Sequence, residues 1–100
     1  MNRYKGNIFR PVYIYDGISH IRGELHVTKH RLDFFPDTAV PGIRSFGLPI
    51  QEIRHVRFHK LYEIILRGVE ITDTKGQTFI FILEEPHLLK KRIESLILEL

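Results

Sequence analysis

The sequence predicts a mainly β fold in which strands fill most of the chain and one α-helix follows them at the C-terminal end. Between about residues 9 and 83, apolar and polar residues alternate in segments separated by turn signals, a two-residue period typical of half-buried strands. After Pro86 the period changes to that of a helix with one apolar face. That face consists of Leu89, Ile93, Leu96, Ile97 and Leu100. We therefore expect seven strands followed by one helix.

The first three strands are expected to form a meander that ends in a hairpin. Their ranges are Phe9–Tyr15, Ile18–Thr28 and Arg31–Phe35, with turns at Asp16-Gly17 and Lys29-His30. In the stretch GELHVTKHRLDFFPD, residues 23–37, the alternation stops for two residues and then resumes, which predicts a two-residue connection. Its core side is Leu25, Val27, Leu32 and Phe34. Gly23 indicates a bulge or a close approach of two backbones.

Four further strands are expected after a loop over residues 36–42. Their ranges are Phe46–Ile50, Ile53–Lys60, Ile64–Thr74 and Thr78–Leu83, with a turn at Lys75-Gly76. Pro49 favours an edge position or a bulge, because proline cannot donate to a strand ladder. The last strand is almost continuously apolar, which predicts burial on both of its faces. The other core residues expected here are Val56, Phe58, Val69 and Ile71.

The helix is expected to begin at Pro86, where the missing N–H of proline costs nothing in the first turn. Glu84 and Glu85 precede it, at the positive end of the helix dipole. Its outer face is expected to carry Lys90, Lys91, Arg92 and Glu94.

Composition narrows the class of protein. One hundred residues without an interior linker or repeat predict a single domain over 1–100, with residues 1–7 as a flexible tail. The absence of cysteine excludes a disulfide scaffold, a thiol nucleophile and a thiolate zinc site. No run of 18 apolar residues could span a membrane, and the N-terminal residues do not form a signal peptide, so we expect a cytoplasmic protein. Residues 1–60 carry a net charge of +5 and residues 61–100 carry −2, a distribution that could support weak binding to an anionic surface.

Three segments carry a resemblance to a known family. Residues 23–34, GELHVTKHRLDF, resemble the G-x-L-x-(V/I)-T-x-x-R-L-x-F core of GRAM domains, above all the form that precedes the phosphatase domain in myotubularins. Residues 46–56 are similar to the family's Ile-Pro-Leu segment and the strand after it, with Leu-Pro-Ile in that place. Residues 68–81 resemble its closing hairpin. The likeness covers residues 8–97 and departs at Lys29, where the family usually has asparagine.

This resemblance implies a fold of the pleckstrin-homology (PH) type. It implies a seven-stranded, partly open barrel of two antiparallel sheets, capped by the C-terminal helix. It also implies a non-catalytic binding module, of a kind often linked to phosphoinositides or other anionic lipids. Arg31 has two interpretations at this point: a structural one, through an ion pair with Glu24 or Asp33 or bonds to loop carbonyls, and a contact with an anionic headgroup.

Catalysis and metal binding find little support in the residues. None of the three serines lies in a nucleophile-elbow context, and no glycine-rich phosphate loop is present. Of the six histidines, His55 and His59 share a strand face but lie about 13 Å apart, too far to ligate one ion. His26 and His30 flank the predicted hairpin without an evident third ligand. We expect no catalytic residue, metal or cofactor.

Binding to an anionic lipid of the phosphoinositide type is one functional hypothesis. Its candidate residues are the basic side chains of the first hairpins and an apolar tip: Arg10, Arg22, Lys29, Arg31, Leu61 and Tyr62. Each basic residue near an anionic leaflet contributes about 1 kcal/mol, so four of them predict weak, salt-sensitive binding.

Protein interaction, including self-association, is the preferred hypothesis. Tyr13, Tyr15, Phe35 and Phe81 are expected on faces opposite the core, and a large exposed apolar patch usually marks an interface. The sheet edges near Pro49 and the first strand are further docking sites, by analogy with phosphotyrosine-binding domains that take a peptide as an added strand. Nucleic acid is not expected, because no recognition helix or aromatic platform accompanies the pI of 9.4.

Overall fold

The computed structural model describes residues 6–15, 18–37, 46–61 and 65–100, and it confirms the mainly β architecture with one C-terminal helix. The strands are β1 Asn7–Tyr15, β2 His20–Val27, β3 Arg31–Pro36, β4 Phe46–Pro49, β5 Ile53–Leu61, β6 Ile65–Asp73 and β7 Thr78–Ile82. A 3-10 turn over Ile50–Glu52 follows β4, and the helix α1 spans Pro86–Leu98. The expected turn at residues 16–17, residues 38–42 of the expected loop and the first five residues of the expected tail lie outside the described residues. Asn7, expected in that tail, begins β1.

The described strands form one antiparallel sheet in the order β4-β3-β2-β1-β7-β6-β5. β1 pairs with β2 along its length, whereas it pairs with β7 only over residues 13–15. This short ladder joins strands β1–β4 to strands β5–β7. The two sheets that the family resemblance implies are therefore linked by hydrogen bonds into one continuous sheet. β4 and β5 are the edges, which explains how β4 accommodates Pro49.

A bulge in β1 lies opposite the expected close approach at Gly23. The β1–β2 register shifts between Phe9 and Val12, and Val12 pairs with Gly23. A side chain on Gly23 would collide with the backbone oxygen of Phe35 and lie 2.7 Å from the ring of Phe34. The prediction for Gly23 is confirmed, because only glycine lets β2 and β3 approach this closely.

The β2–β3 hairpin has the predicted two-residue connection at residues 29–30. The amide of Thr28 donates to the carbonyl oxygen of Arg31 at 2.9 Å, which closes the turn. The Thr28 hydroxyl accepts from the amide of Arg31 at 3.2 Å. The threonine side chain therefore organises a turn that lacks the usual Asn-Gly sequence.

The core lies between the concave face of the sheet and α1. Its fully buried side chains are Val12, Leu25, Val27, Phe34, Ile50, Val69, Ile71, Leu89 and Ile93, and Leu32, Phe81 and Leu96 are almost fully buried. β5 has a bulge between Ile53 and His55, which turns both Ile53 and Val56 toward the core although they are three residues apart. Phe58, expected in the core, is half-buried against His87 of α1.

Three expectations about side-chain placement were wrong. Phe81 was expected on the outer face, but it is 1% exposed because its register places it between Ile14 of β1 and Val69 of β6. Leu100 was expected on the apolar face of the helix, but it is exposed because α1 ends at residue 98. Arg92 was expected on the outer face and is half-buried, with its Nε atom inaccessible to solvent.

The N-terminal end of α1 fits the prediction, with Pro86 in the first helical turn. No helix among the described residues is long and apolar enough to cross a membrane.

Candidate binding surface

The convex face of the sheet carries a group of ring and aliphatic side chains that we call the outer patch. It consists of Tyr13, Tyr15, His20, His59, Ile80 and Ile82. Two rows across the sheet bring these residues together. In the first, Tyr15 of β1 lies between its pairing partners His20 and Ile80. In the second, Ile82 of β7 lies between Tyr13 and Gly68, and Gly68 pairs with His59.

The rings of the outer patch are in contact with one another. Tyr15 and His20 stack with their ring centroids 4.5 Å apart and an interplanar angle of 21°. The ring of His20 also lies edge-on to Tyr13 at 6.4 Å, and the ring of His59 lies 6.4 Å from Tyr15. Tyrosine and histidine combine an apolar ring with a polar tip, which suits a surface that is alternately exposed to water and covered by protein.

Gly68 gives the aliphatic part of the patch its shape. A Cβ atom on Gly68 would lie 2.9 Å from the Cδ1 atom of Ile82, so a larger residue would displace that side chain. Ile80 and Ile82 are half-buried, and only Phe81 of β7 is close to full burial. The prediction that β7 is buried on both faces is therefore wrong: its outer face lies open between β1 and β6.

Glu70 forms a charged rim on the β5–β6 side of the patch. Its carboxylate accepts a hydrogen bond from Arg57 Nε at 2.6 Å and pairs with His59 Nδ1 at 3.1 Å. Burial raises the pKa of Glu70, but the hydrogen bonds with Arg57 and His59 outweigh it and hold the pKa below its ordinary value. Glu70 is therefore a carboxylate near neutral pH.

Of the four predicted lipid-binding cations, three face carboxylates. Arg22 lies 3.3 Å from Asp37, and Arg10 lies 3.4 Å from Glu24. Arg31 donates through Nε to Asp33 at 2.9 Å, which is one of the two ion pairs expected for it. This last pair lies against Gly47 of β4, where any side chain would collide with both of its members.

The predicted cations do not converge on one site. Arg22 pairs with Tyr13 near the start of β2, whereas Lys29 lies in the turn beyond its other end, about 23 Å further along an extended chain. Lys29 is exposed and forms no hydrogen bond or ion pair with another described residue. The predicted apolar tip lies outside the described residues, both for Tyr62 and for the side chain of Leu61.

A second polar group lies on β2 and β3, away from the outer patch. Glu24 pairs with His26 Nε2 at 2.8 Å, and the His26 ring lies edge-on to Phe35 at 4.7 Å. The hydrogen bond with His26 lowers the pKa of Glu24, outweighing desolvation, and Arg10 adds to the effect. Nowhere in the described ranges do three His, Asp or Glu side chains converge as a metal would require.

Comparison with known proteins identifies the fold. No protein-family model matches the chain, and no curated protein matches it either. Solved structures do match: the N-terminal PH domain of human ARAP2 has a TM-score of 0.73 at 12% identity, covering 97% of this chain and 83% of that one. This chain has a PH-like fold.

Two further structures agree with this PH-like fold. The PH domain of TgAPH has a TM-score of 0.63 at 18% identity, covering 94% of this chain and 81% of that one. The C-terminal domain of an unknown protein from Leishmania infantum has a TM-score of 0.79 at 18% identity, covering 92% of this chain and 82% of that one. At these identities the likeness establishes the fold and leaves the ligand open.

Sequence reasoning identified only part of the outer patch. Tyr13 and Tyr15 were expected on an outer face, whereas His20, Ile80 and Ile82 were not assigned to it. Alternation within β7 was the signal that could have identified the isoleucines. Ile80 and Ile82 flank Phe81, so they must lie on the face of the strand opposite to Phe81.

Proposed function

We propose that this PH-like domain is a non-catalytic, cytoplasmic protein-interaction module of the GRAM type that binds a second copy of itself through the outer patch. PH domains bind proteins or phosphoinositide membrane surfaces, and the arrangement of side chains here favours a protein. The observation that carries the proposal is the outer patch itself, in which rings and isoleucines from four strands form one continuous surface.

The charges around the patch are self-complementary. On the β2 side, Arg22 lies beside Asp37, and on the β5–β6 side, Arg57 lies beside Glu70. A two-fold axis through the patch places the β2 side of one copy against the β5–β6 side of the other. With the axis parallel to the strands, each side that meets carries one cation and one carboxylate, so no net charge opposes the contact, and the isoleucines and tyrosines meet in the middle.

Lipid binding is less well supported by the geometry. Because Arg10, Arg22 and Arg31 each lie within ion-pair distance of a carboxylate, their attraction for an anionic leaflet is reduced. Lys29 is left as an exposed cation at the tip of the β2–β3 hairpin, and one such charge contributes about 1 kcal/mol near an anionic membrane.

The decisive experiment is light scattering coupled to size exclusion, from micromolar to near-millimolar protein. We expect the mass to rise from the 11.9 kDa of the monomer toward twice that value. Ile80→Lys should hold the protein monomeric, because it places a charge at the centre of the interface. Leu98→Lys is the matched control: it also replaces an exposed aliphatic residue, on the helix, and should not affect the association.

Vesicle flotation tests the competing function on the same samples. With the second copy as partner, we expect no flotation on phosphatidylserine or phosphoinositide vesicles beyond that on neutral ones. A constant monomer mass would rule out the second copy. Salt-sensitive flotation that disappears when Arg22, Lys29 and Arg31 are together replaced by Glu would establish lipid binding instead.

A further inference from the structure

A groove of about 490 Å³ lies between the first half of β1 and the beginning of α1. One wall is formed by residues 7–11 of β1, and the other by residues 83–85 with Leu88 and Arg92 of the helix. None of these residues belongs to the outer patch, so the groove is a separate candidate site.

The β1 wall of this groove is an open strand edge. β7 pairs with β1 only over residues 13–15, and the next residue, Leu83, donates its amide to the carbonyl oxygen of Arg67 of β6 at 2.9 Å. Over residues 8–11 the described part of the chain therefore supplies no strand on this side of β1. An open edge of this kind accepts an additional strand through main-chain hydrogen bonds.

The helix wall presents one apolar contact, Leu88, and one cationic contact, Arg92, beyond Glu84 and Glu85 at its start. Leu88 is 54% exposed and lines the groove together with Leu83, which is itself nearly buried. One turn further along, Arg92 carries a buried Nε–H that has no hydrogen-bond acceptor among the described residues. This Nε atom is closed to a ligand, so a carboxylate in the groove would pair with the terminal nitrogens of the guanidinium, for which arginine and carboxylate have matching geometry.

The spacing of these two contacts suits an extended peptide. Four residues of helix separate Leu88 from Arg92, a rise of about 6 Å. Side chains on one face of a strand repeat at about 6.6–6.8 Å. A strand beside β1 can therefore direct one side chain toward Leu88 and the next one on the same face toward Arg92.

We propose that this groove binds an extended peptide segment of a partner protein, as a strand added to β1. The segment carries an apolar side chain followed two residues later by a carboxylate, which pair with Leu88 and Arg92 respectively. This site is independent of self-association through the outer patch, and the two proposals can fail separately.

The test is an amide-resolved NMR titration of the whole chain with two blocked nonapeptides. The first is Ser-Thr-Ser-Leu-Ser-Glu-Ser-Thr-Ser, and the second has Lys in place of Glu. We expect the Glu peptide to shift amides of residues 8–10 and 88–92 in a saturable way and to bind more tightly than the Lys peptide. Ile80→Lys, which disrupts the outer patch, should leave this titration unchanged.

Charge reversal at the helix wall gives the sharpest result. Arg92→Glu should lower the affinity for the Glu peptide by about tenfold or more, because a charged hydrogen bond becomes a repulsion, and it should raise the affinity for the Lys peptide. Lys91→Glu, an exposed neighbour on the helix, is the matched control and should change neither affinity. If Arg92→Glu does not fold, Arg92→Gln should remove the preference between the two peptides.

Three results would overturn the proposal. They are no saturable amide shift with either peptide, amide shifts confined to the outer patch or the β5 edge, or an equal loss of affinity for both peptides in the Arg92 variant.

Discussion

Tyr15 and His20 face each other across the last pair of the β1–β2 ladder, and their rings stack at 4.5 Å on the convex face of the sheet. The contact links the end of one hairpin to the short β1–β7 ladder, because Tyr15 also pairs with Ile80. Tyr15 is therefore adjacent both to a ring of the outer patch, that of His20, and to an aliphatic side chain of it, that of Ile80. This arrangement makes Tyr15 the residue on which the proposed interface depends most.

The first prediction concerns Tyr15→Ala. Truncating a central aromatic residue of an interface often weakens the binding free energy by more than about 1 kcal/mol. The dissociation constant of the dimer should therefore rise by about tenfold. Sedimentation equilibrium measures this directly. Phe35→Ala is the control, because Phe35 is also an exposed aromatic residue of the convex face but lies on β3, outside the patch. Equal effects of the two variants would show that the patch is not the interface.

The second prediction concerns Asp73, a buried carboxylate at the end of β6. Its Oδ1 atom accepts the amide hydrogens of Lys75 and Gln77, each at 2.9 Å, and so organises the β6–β7 turn. Asp73→Ala leaves both donors without that acceptor and should lower the free energy of unfolding by about 1–3 kcal/mol. Urea unfolding measures the loss. Asp73→Asn keeps an acceptor oxygen and should cost less, whereas the exposed neighbour Thr74→Ala should cost almost nothing.

The alternation within β2 and β3 was enough to predict the core of that hairpin. Leu25 and Phe34 are buried as expected, because a two-residue period leaves a strand only one way to face a core. The two-residue break in the alternation at Lys29-His30 also predicted the turn. These are local properties, since they depend on residues close together in the chain.

The features that the sequence did not predict depend on pairing between distant segments. Phe81 faces the core, against the prediction, and Ile80 faces outward because the β1–β7 register, which joins residues more than 60 positions apart, decides which of them is buried. The same applies to the ion pairs of Arg10 and Arg22 with acids of other segments. Arg31 was the exception, because its partner Asp33 lies on the same face of the same strand.

The third prediction concerns pH and the pair formed by Arg57 and Glu70. The folded protein holds the pKa of Glu70 below the unfolded value of 4.5, so in this range the unfolded chain binds more protons. The stabilisation is complete above pH 4.5 and is lost as the pH falls through the folded pKa. Because Arg57 is largely exposed, Arg57→Gln should cost only about 0.5–1 kcal/mol at pH 7.

Urea unfolding of both proteins between pH 7 and pH 3 checks this linkage. The difference in stability between wild type and Arg57→Gln should disappear once Glu70 is protonated in both. Lys91→Gln, which removes an exposed cation that has no ion-pair partner among the described residues, is the control and should not reproduce that pH-dependent difference. A difference that stayed constant down to pH 3 would show that Arg57 acts through packing and not through the charge of Glu70.

The fourth prediction contrasts two glycines that are required for different physical reasons. At Gly23 the backbone is ordinary but space is lacking, because an added Cβ would meet the backbone of β3. At Gly76, in the β6–β7 turn, the Cβ would meet nothing within 4 Å, but φ is +84°, which L residues rarely adopt. Gly23→Ala should therefore lower the free energy of unfolding by about 1–3 kcal/mol through overpacking, and Gly76→Ala by about 1–2 kcal/mol through backbone strain.

Asparagine separates these two causes, because it tolerates a positive φ better than alanine but occupies more space. At position 76, Asn should be more stable than Ala, and at position 23, Asn should be less stable than Ala. Thermal and urea unfolding of the four single variants give both orders in one series. The same order at both positions would mean that one cause acts at both glycines, and the close approach of β2 and β3 at Gly23 would then not explain its requirement.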